Sequence, residues 1–328
     1  MTQFARVLDF DSGVAMIVTD LHGEGHAYDQ IKSTFLELRR EGKADRLILC
    51  GDLIHGYRES YNDDSLRMML DVMRMQKDFG SDTVTMLMGN HEMPHVYNIT
   101  LEKGHHEFTA RFEESLSQSG KRDEVLAFLK HLPIYARTKA GVLISHAGAT
   151  PAVTNAENAE RIFTFDHEAL LMLAEDKLQS SYDLENLKQH RQYIRQVKNY
   201  LAIDSVDDPR FHHLLRGQII SQTSEDFSFL WDVLFATNEK GWNIGGYNVI
   251  AEAFLKAISD HSSYQQKVVV AGHIAVKGGH QLVGDWHLRL ATYAHASPHN
   301  DGEYLLLDCA KPIEKVADLV ACLRPTFG

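Results

Sequence analysis

The chain has 328 residues, 44% of them hydrophobic and 24% charged, which is enough to bury a sizeable core and unlike the composition of a disordered chain. Its formal charge of −12 argues against holding nucleic acid through non-specific phosphate contacts. Its three cysteines, Cys50, Cys309 and Cys322, are odd in number and form no C-x-x-C pair, so they predict buried thiols rather than a disulfide framework or a cysteine-built zinc site.

The opening stretch, MTQFARVLDFDSG, lacks a basic segment followed by an apolar one. No run approaches the roughly 20 apolar residues of a membrane span, so a cytoplasmic protein with no membrane partner is expected. GVAMIVTD (13–20), RLILCGD (46–52), TVTMLMGN (83–90) and GVLISHAG (141–148) are apolar runs of strand length that end in polar, glycine-bearing clusters. That is the pattern of buried strands feeding site loops. Between them YDQIKSTFLELRR, DDSLRMMLDVMRMQKD and RDEVLAFLKHL carry apolar residues at spacings of three and four, which predicts helices packed on a sheet. The first half is therefore β-α-β-α-β, an α/β arrangement.

Residues 152–225 break that alternation. Asp166 and Asp183 are placed to cap two helices, and Leu184, Leu187, Ile194, Val197 and Leu201 form one apolar stripe. With no Pro/Gly-rich linker, 1–328 reads as one domain carrying a helical insertion, placed to act as a lid or a partner surface. Strand-like runs return in KVVVAGH (267–273), WHLRLATYAH (286–295) and EYLLLD (303–308).

One stretch supports two incompatible sites. In TMLMGNHEMPHVY (85–97), His91, Glu92 and His95 fit the H-E-x-x-H of a zinc-protease helix, whereas Gly89 to Glu92 spell a G-N-H-E loop at a strand end. The helical reading needs two histidines one turn apart on continuous helix. TVTML is strand-like, Gly89 and Asn90 are poor helix formers, and Pro94 disfavours helical geometry at Met93. The strand-end reading requires no such strain.

Neighbouring strands of a sheet end side by side, so their loop residues should converge. Asp20 and His22 end the first run, Asp52 the second, Asn90 and His91 the third, His146 the fourth and His273 the fifth. Carboxylate, imidazole and amide oxygen together suit a pair of borderline-to-hard divalent ions, with one carboxylate able to bridge. Any one Asp or His among them could simply cap a loop; six such residues at five strand ends point to a site.

In order, D-x-H-G (Asp20 to Gly23), G-D (Gly51, Asp52), G-N-H-E (Gly89 to Glu92), S-H-A-G (Ser145 to Gly148) and A-G-H (Ala271 to His273) resemble the motifs of the metallophosphoesterases. FLWDV (229–233), GWN (241–243) and ASPHNDGEYLLLD (296–308) are most similar to the phosphoprotein phosphatase branch, as is Ala275, where many other members carry a histidine. The resemblance implies a β-sandwich flanked by helices, α/β/β/α, with loops from both sheets around two metal ions. It implies Asp20, His22 and Asp52 on one ion and Asp52, Asn90, His146 and His273 on the other, with His91 protonating the leaving oxygen. Manganese is the expected metal, with iron, zinc or magnesium as alternatives. Such a pair activates water and neutralises phosphoryl oxygens.

The second motif departs from the family. It reads GDLIHGY, so His55 and Gly56 stand where members carry an Asp that orients the catalytic histidine and an Arg that grips phosphate. A second phosphate-binding Arg is missing from GWNIGGYN, and Arg58 is the nearest substitute. His55 and Arg58 are thus candidate substrate contacts, either of which could equally be an exposed loop side chain. The expected activity is a phosphomonoesterase of the serine/threonine phosphatase type acting on a phosphoprotein or small phosphate ester. The alternatives are a nucleoside polyphosphate hydrolase using the same metals, a metal-binding regulatory protein with weak turnover, and the zinc protease.

Overall fold

The computed structural model describes residues 5–56, 63–103, 106–180, 208, 210–236, 241–260 and 262–328. Two mixed sheets form the centre. One has five strands in the order Leu323–Pro325, Glu303–Asp308, Val14–Val18, Arg46–Leu49, Val84–Met86, the last three parallel. The other has six, in the order Val7–Phe10, Tyr135–Thr138, Val142–Ser145, Val268–Ala271, His287–Leu290, His280–Val283.

Alternation along the strands places the core between the sheets. Ala15, Ile17 and Ile48 with Leu305 and Leu307 from one sheet meet Val142, Ile144, Val268, Val270, Leu288 and Leu290 from the other. The intervening residues, Met16, Val18, Leu47, Leu49, Leu143 and Val269, are buried as well, because helices cover the outer faces. A strand buried on both faces reads as an unbroken apolar run, as the runs at 13–20, 46–52, 141–148 and 267–273 do. Helix Gly25–Arg40 turns Tyr28, Ile31 and Phe35 inward, and helix Ser65–Phe79 turns Met68, Val72 and Met75 inward; both lie on the five-stranded sheet. Helix Ile244–Ser259 covers the other sheet, with Phe254 edge-on to Tyr135 and the Ile258 carbonyl accepting from Arg137. The architecture is the helix-flanked α/β/β/α sandwich.

The chain divides into two compact units, 1–90 with 131–165 and 232–328, and 91–130 with 166–231. Of the expected insertion, residues 152–165 belong to the first unit, where helix Ala156–Phe163 packs on helix Ile244–Ser259. In the second unit Asp166 caps helix His167–Ser180 by accepting from the Glu168 and Ala169 N–H groups at 2.9 and 3.2 Å. Helix Arg210–Thr223 packs against that helix, with His212 Nε2 2.7 Å from Glu175 Oε1. Asp183 and the stripe from Leu184 to Leu201 lie outside the described residues.

Pro94 behaves differently from the sequence expectation. It sits in the first turn of a short helix, Met93–Tyr97, where its missing N–H costs no intrahelical bond. His91 still precedes that helix, so His91 and His95 do not share the continuous helix a zinc protease needs. His95 instead puts Nδ1 2.7 Å from Glu113 Oε1. Cys50 and Cys309 are buried and Cys322 partly so, all as free thiols. Among the described residues no helix is long and apolar enough to cross a membrane.

Candidate metal centre

The first unit's parallel strands carry the site on their outgoing loops. Asp20 and His22 follow Val14–Val18, Asp52 and His55 follow Arg46–Leu49, and Asn90 follows Val84–Met86. From the facing sheet His146 follows Val142–Ser145 and His273 follows Val268–Ala271. The Asp52 carbonyl accepts from both the Leu21 and His22 N–H groups, at 3.0 and 2.9 Å, which ties the first loop to the second.

These loops are strained. Six described non-glycine residues have positive φ, and five of them are in the site: Asp20 (44°), His22 (43°), Asp52 (51°), His55 (72°) and His273 (66°). Each such conformation costs on the order of 1–3 kcal/mol, an expense typical of a functional site rather than of a loop free to relax. Two motif glycines permit the crowding. A Cβ on Gly51, itself at φ +84°, would meet Gly89 N at 2.5 Å, and one on Gly272 would meet Asp20 Oδ2 at 1.8 Å.

The buried side chains converge in two groups that share a boundary. Asp20, His22 and His295 have donor atoms within 4.8 Å of one another, as do Asp52, His146 and His273. Asp52 joins the groups, with Oδ2 3.6 Å from His22 Nε2 and Oδ1 3.5 Å from His146 Nε2. His146 Nε2 also lies 2.7 Å from Asn90 Oδ1 and 3.2 Å from His273 Nδ1. The other nitrogen of each inner histidine faces a backbone carbonyl: His146 Nδ1 is 2.9 Å from Cys50 O and His22 Nδ1 is 3.3 Å from Ile54 O. Donation from Nδ1–H fixes the tautomer that leaves the Nε2 lone pair directed into the site, the usual arrangement of a metal-ligating imidazole. Two donors about 2.1 Å from one ion stand about 3.0–3.4 Å apart at right-angled to tetrahedral angles, so the 3.2–3.6 Å separations among His22, Asp52, His146 and His273 are close to those of ligands on divalent cations.

The electrostatics agree with this reading. Burial pushes the Asp20 carboxyl up, but the imidazoles of His295, His146 and His22 outweigh it and hold the group well below the usual carboxylate range. Burial pushes His146 down, favouring the neutral form that can ligate. The Asp20 carboxylate also accepts from the His273 N–H at 3.0 Å through either oxygen.

Asp20, His22, Asp52, Asn90, His146 and His273, all singled out from sequence, are thus found together in the first unit. His91 is the first residue of the second unit, buried, with its ring edge-on to Phe108 at 5.1 Å. His55 is buried rather than an exposed loop residue, and its backbone N–H donates to Ser65 Oγ at 2.9 Å. Arg58 lies outside the described residues. His295 was missed: it lies beyond the end of strand His287–Leu290, in no glycine-bearing motif.

A helix-flanked sandwich with carboxylate, imidazole and amide donors gathered at its strand ends defines a class of divalent-metal proteins. Residues 14–217 match the calcineurin-like phosphoesterase family, and the chain belongs to that family. A symmetrical bis(5'-nucleosyl)-tetraphosphatase of Nitrosococcus oceani is 28% identical over 149 residues, 44% of this chain and 48% of that protein. The chain therefore spans about half the length of that curated relative. Among solved structures, a Saccharomyces cerevisiae serine/threonine phosphatase with similarity to human phosphatase PP5 is 13% identical with a TM-score of 0.49, covering 93% of this chain and 78% of that one. A cold-active protein-tyrosine phosphatase of a psychrophilic Shewanella is 16% identical with a TM-score of 0.40, again covering 93% and 78%.

Proposed function

We propose that the chain is a phosphoric ester hydrolase using two divalent ions, manganese first among them, and that it removes phosphate from monoesters such as phosphoserine or small phosphorylated molecules. The observation that carries this reading is the paired arrangement of His22 and His146, each with Nδ1 at a backbone carbonyl and Nε2 toward one oxygen of Asp52. Asp20, His22 and Asp52 hold one ion; Asp52, Asn90, His146 and His273 hold the other. When bound, such ions supply an activated water and positive charge for the phosphoryl oxygens.

The protein's own residues do the rest. Asp52 offers one oxygen to each side. Asn90 donates a neutral oxygen, limiting the negative charge the site sets against a phosphate. His91, adjacent to Asn90 in the chain, donates the proton to the leaving oxygen. His55 and Arg58 are the proposed phosphate contacts in place of the arginines this chain lacks, and the helical segment within 152–225 is a lid or partner surface. Three unpaired cysteines suit a reducing, cytoplasmic compartment.

A second reading, cleavage of nucleoside polyphosphates, is supported by the Nitrosococcus oceani relative and by Gly56, which cannot grip a terminal phosphate as an Arg would. Phosphate release from a phosphoserine peptide, p-nitrophenyl phosphate and diadenosine tetraphosphate, with and without Mn²⁺, separates the two. The first reading expects metal-dependent turnover of both monoesters. His91→Ala should slow the phosphoserine peptide by about 10²–10⁴-fold and the aryl ester far less, because an aryl oxyanion departs without a proton. No metal-dependent hydrolysis of any of the three would remove the proposal.

A further inference from the structure

The motifs supply the second metal position with four protein donors and the first with three. The geometry assigns His295 as the fourth donor to the first position, beside Asp20, His22 and the shared Asp52. This inference rests on the two-ion reading above.

His295 Nδ1 lies 3.2 Å from Asp20 Oδ1, close to the roughly 3.0 Å that separates two ligands held at right angles on one ion with bonds of about 2.1 Å. Its ring centroid is 5.0 Å from that of His22, with the planes tilted by 55°. Asp20, His22 and His295 offer one ligand atom each within 4.8 Å of one another.

The residue is also built into place. The Ala294 N–H donates to the Asp20 carbonyl at 3.2 Å, and the His295 carbonyl accepts from Val276 N–H at 2.9 Å. The backbone on both sides of the imidazole is thereby anchored, one side of it to the loop that carries the first ligand. Its side chain is only 11% exposed, as a ligand enclosed by its site should be. Ala275, two residues past His273, has no donor atom to offer. With His295 the first position would hold two imidazoles and two carboxylates, a set that favours manganese, iron or zinc over magnesium, whose preferred ligands are oxygen and water.

The competing account is that His295 only donates a hydrogen bond that positions Asp20. The two differ in what can replace it. An aspartate at 295 would place Oδ1 where the imidazole Nδ1 stands; it can ligate a cation but, ionised, cannot donate to Asp20.

The test measures bound Mn²⁺ per chain across a titration, together with ¹⁴N couplings in the pulsed electron paramagnetic resonance spectrum, for the full chain and its His295→Ala and His295→Asp variants. Wild type should hold two ions, with His295→Ala weakening one by about 10-fold or more and losing one imidazole coupling. His295→Asp should regain the affinity without the coupling. Two ions at unchanged affinity and unchanged couplings in His295→Ala would overturn the assignment, as would failure of His295→Asp to regain binding. Fewer than two ions in wild type would remove the two-ion reading itself, and this inference with it.

Discussion

In the second unit His95 Nδ1 meets Glu113 Oε1 at 2.7 Å, Arg122 Nε donates to Glu113 Oε2 at 2.8 Å, and Arg122 also donates to Asn98 Oδ1 at 2.8 Å. In the first unit the Asp52 carboxylate stands 3.5 and 3.6 Å from His146 and His22, too far for good hydrogen bonds. Both groups are buried and both combine histidine with carboxylate. They differ in how the carboxylate is met: Arg122 pairs with Glu113 within the fold, whereas the carboxylates of Asp20 and Asp52 are faced by the imidazoles of His295, His22 and His146. The difference extends in part to the backbone, since five site residues hold positive φ whereas in the second-unit network Asn98 alone does, at 55°. The His–carboxylate pair of the second unit is thus closed by protein partners, whereas the Asp52 contacts of the first unit have separations close to those of two ligands on one ion.

The sharpest way to break this contrast is in the second unit. Glu113→Ala strands Arg122 and should cost about 3–5 kcal/mol in urea unfolding while bound metal per chain stays the same. Burial raises the Glu113 carboxyl, but His95 and Arg122 outweigh it and bring it from 4.5 to about 2. Because the folded value is depressed, the stabilisation is fully present above about pH 4.5 and disappears as pH falls toward 2. The stability gap between wild type and Glu113→Ala should narrow over that window. A gap independent of pH would mean that Glu113 is not ionised in the fold.

Gly272→Ala probes the first unit. The added Cβ would stand 1.8 Å from Asp20 Oδ2, so the carboxylate must move, and Mn²⁺ affinity should fall by about 10–100-fold with a smaller effect on stability. Affinity equal to wild type would show that the loop yields without disturbing Asp20. Tyr247→Phe has the smallest expected effect. Its hydroxyl accepts from the Ala149 N–H at 3.1 Å and lies 2.8 Å from His287 Nδ1, behind the loop that carries His146. Its loss should cost about 1 kcal/mol in unfolding and leave metal binding within a factor of a few. A large loss of metal would place that hydroxyl among the groups positioning His146.

The same contrast explains what could be seen in the sequence. Strands such as Val14–Val18 and Val268–Ala271 stood out because both faces are buried and the run is apolar throughout. Their site residues stand out because each follows such a run with a glycine within three residues. Strands Val7–Phe10 and Tyr135–Thr138 did not, since Asp9 and Arg137 interrupt them. The structure pairs those two residues directly across the parallel ladder, Arg137 Nε to Asp9 Oδ1 at 2.8 Å, a compensation that no single segment reveals. His295 was hidden for a related reason: it lies past the end of its strand in an irregular turn, and only the tertiary fold brings it to Asp20. The His95 network was masked by the zinc-protease pattern, which accounted for His95 without Glu113 or Arg122.

Asp52 is proposed to join two ions in one site. Asp52→Asn keeps the size of the side chain and removes its charge, so bound metal per chain and turnover should fall together, turnover by more than about 100-fold. Elemental analysis of wild type and Asp52→Asn after equilibration with Mn²⁺, with hydrolysis measured on the same samples, tests this directly. The account predicts two ions in wild type and a loss from both positions in the variant; two tightly held ions and normal hydrolysis in Asp52→Asn would contradict it.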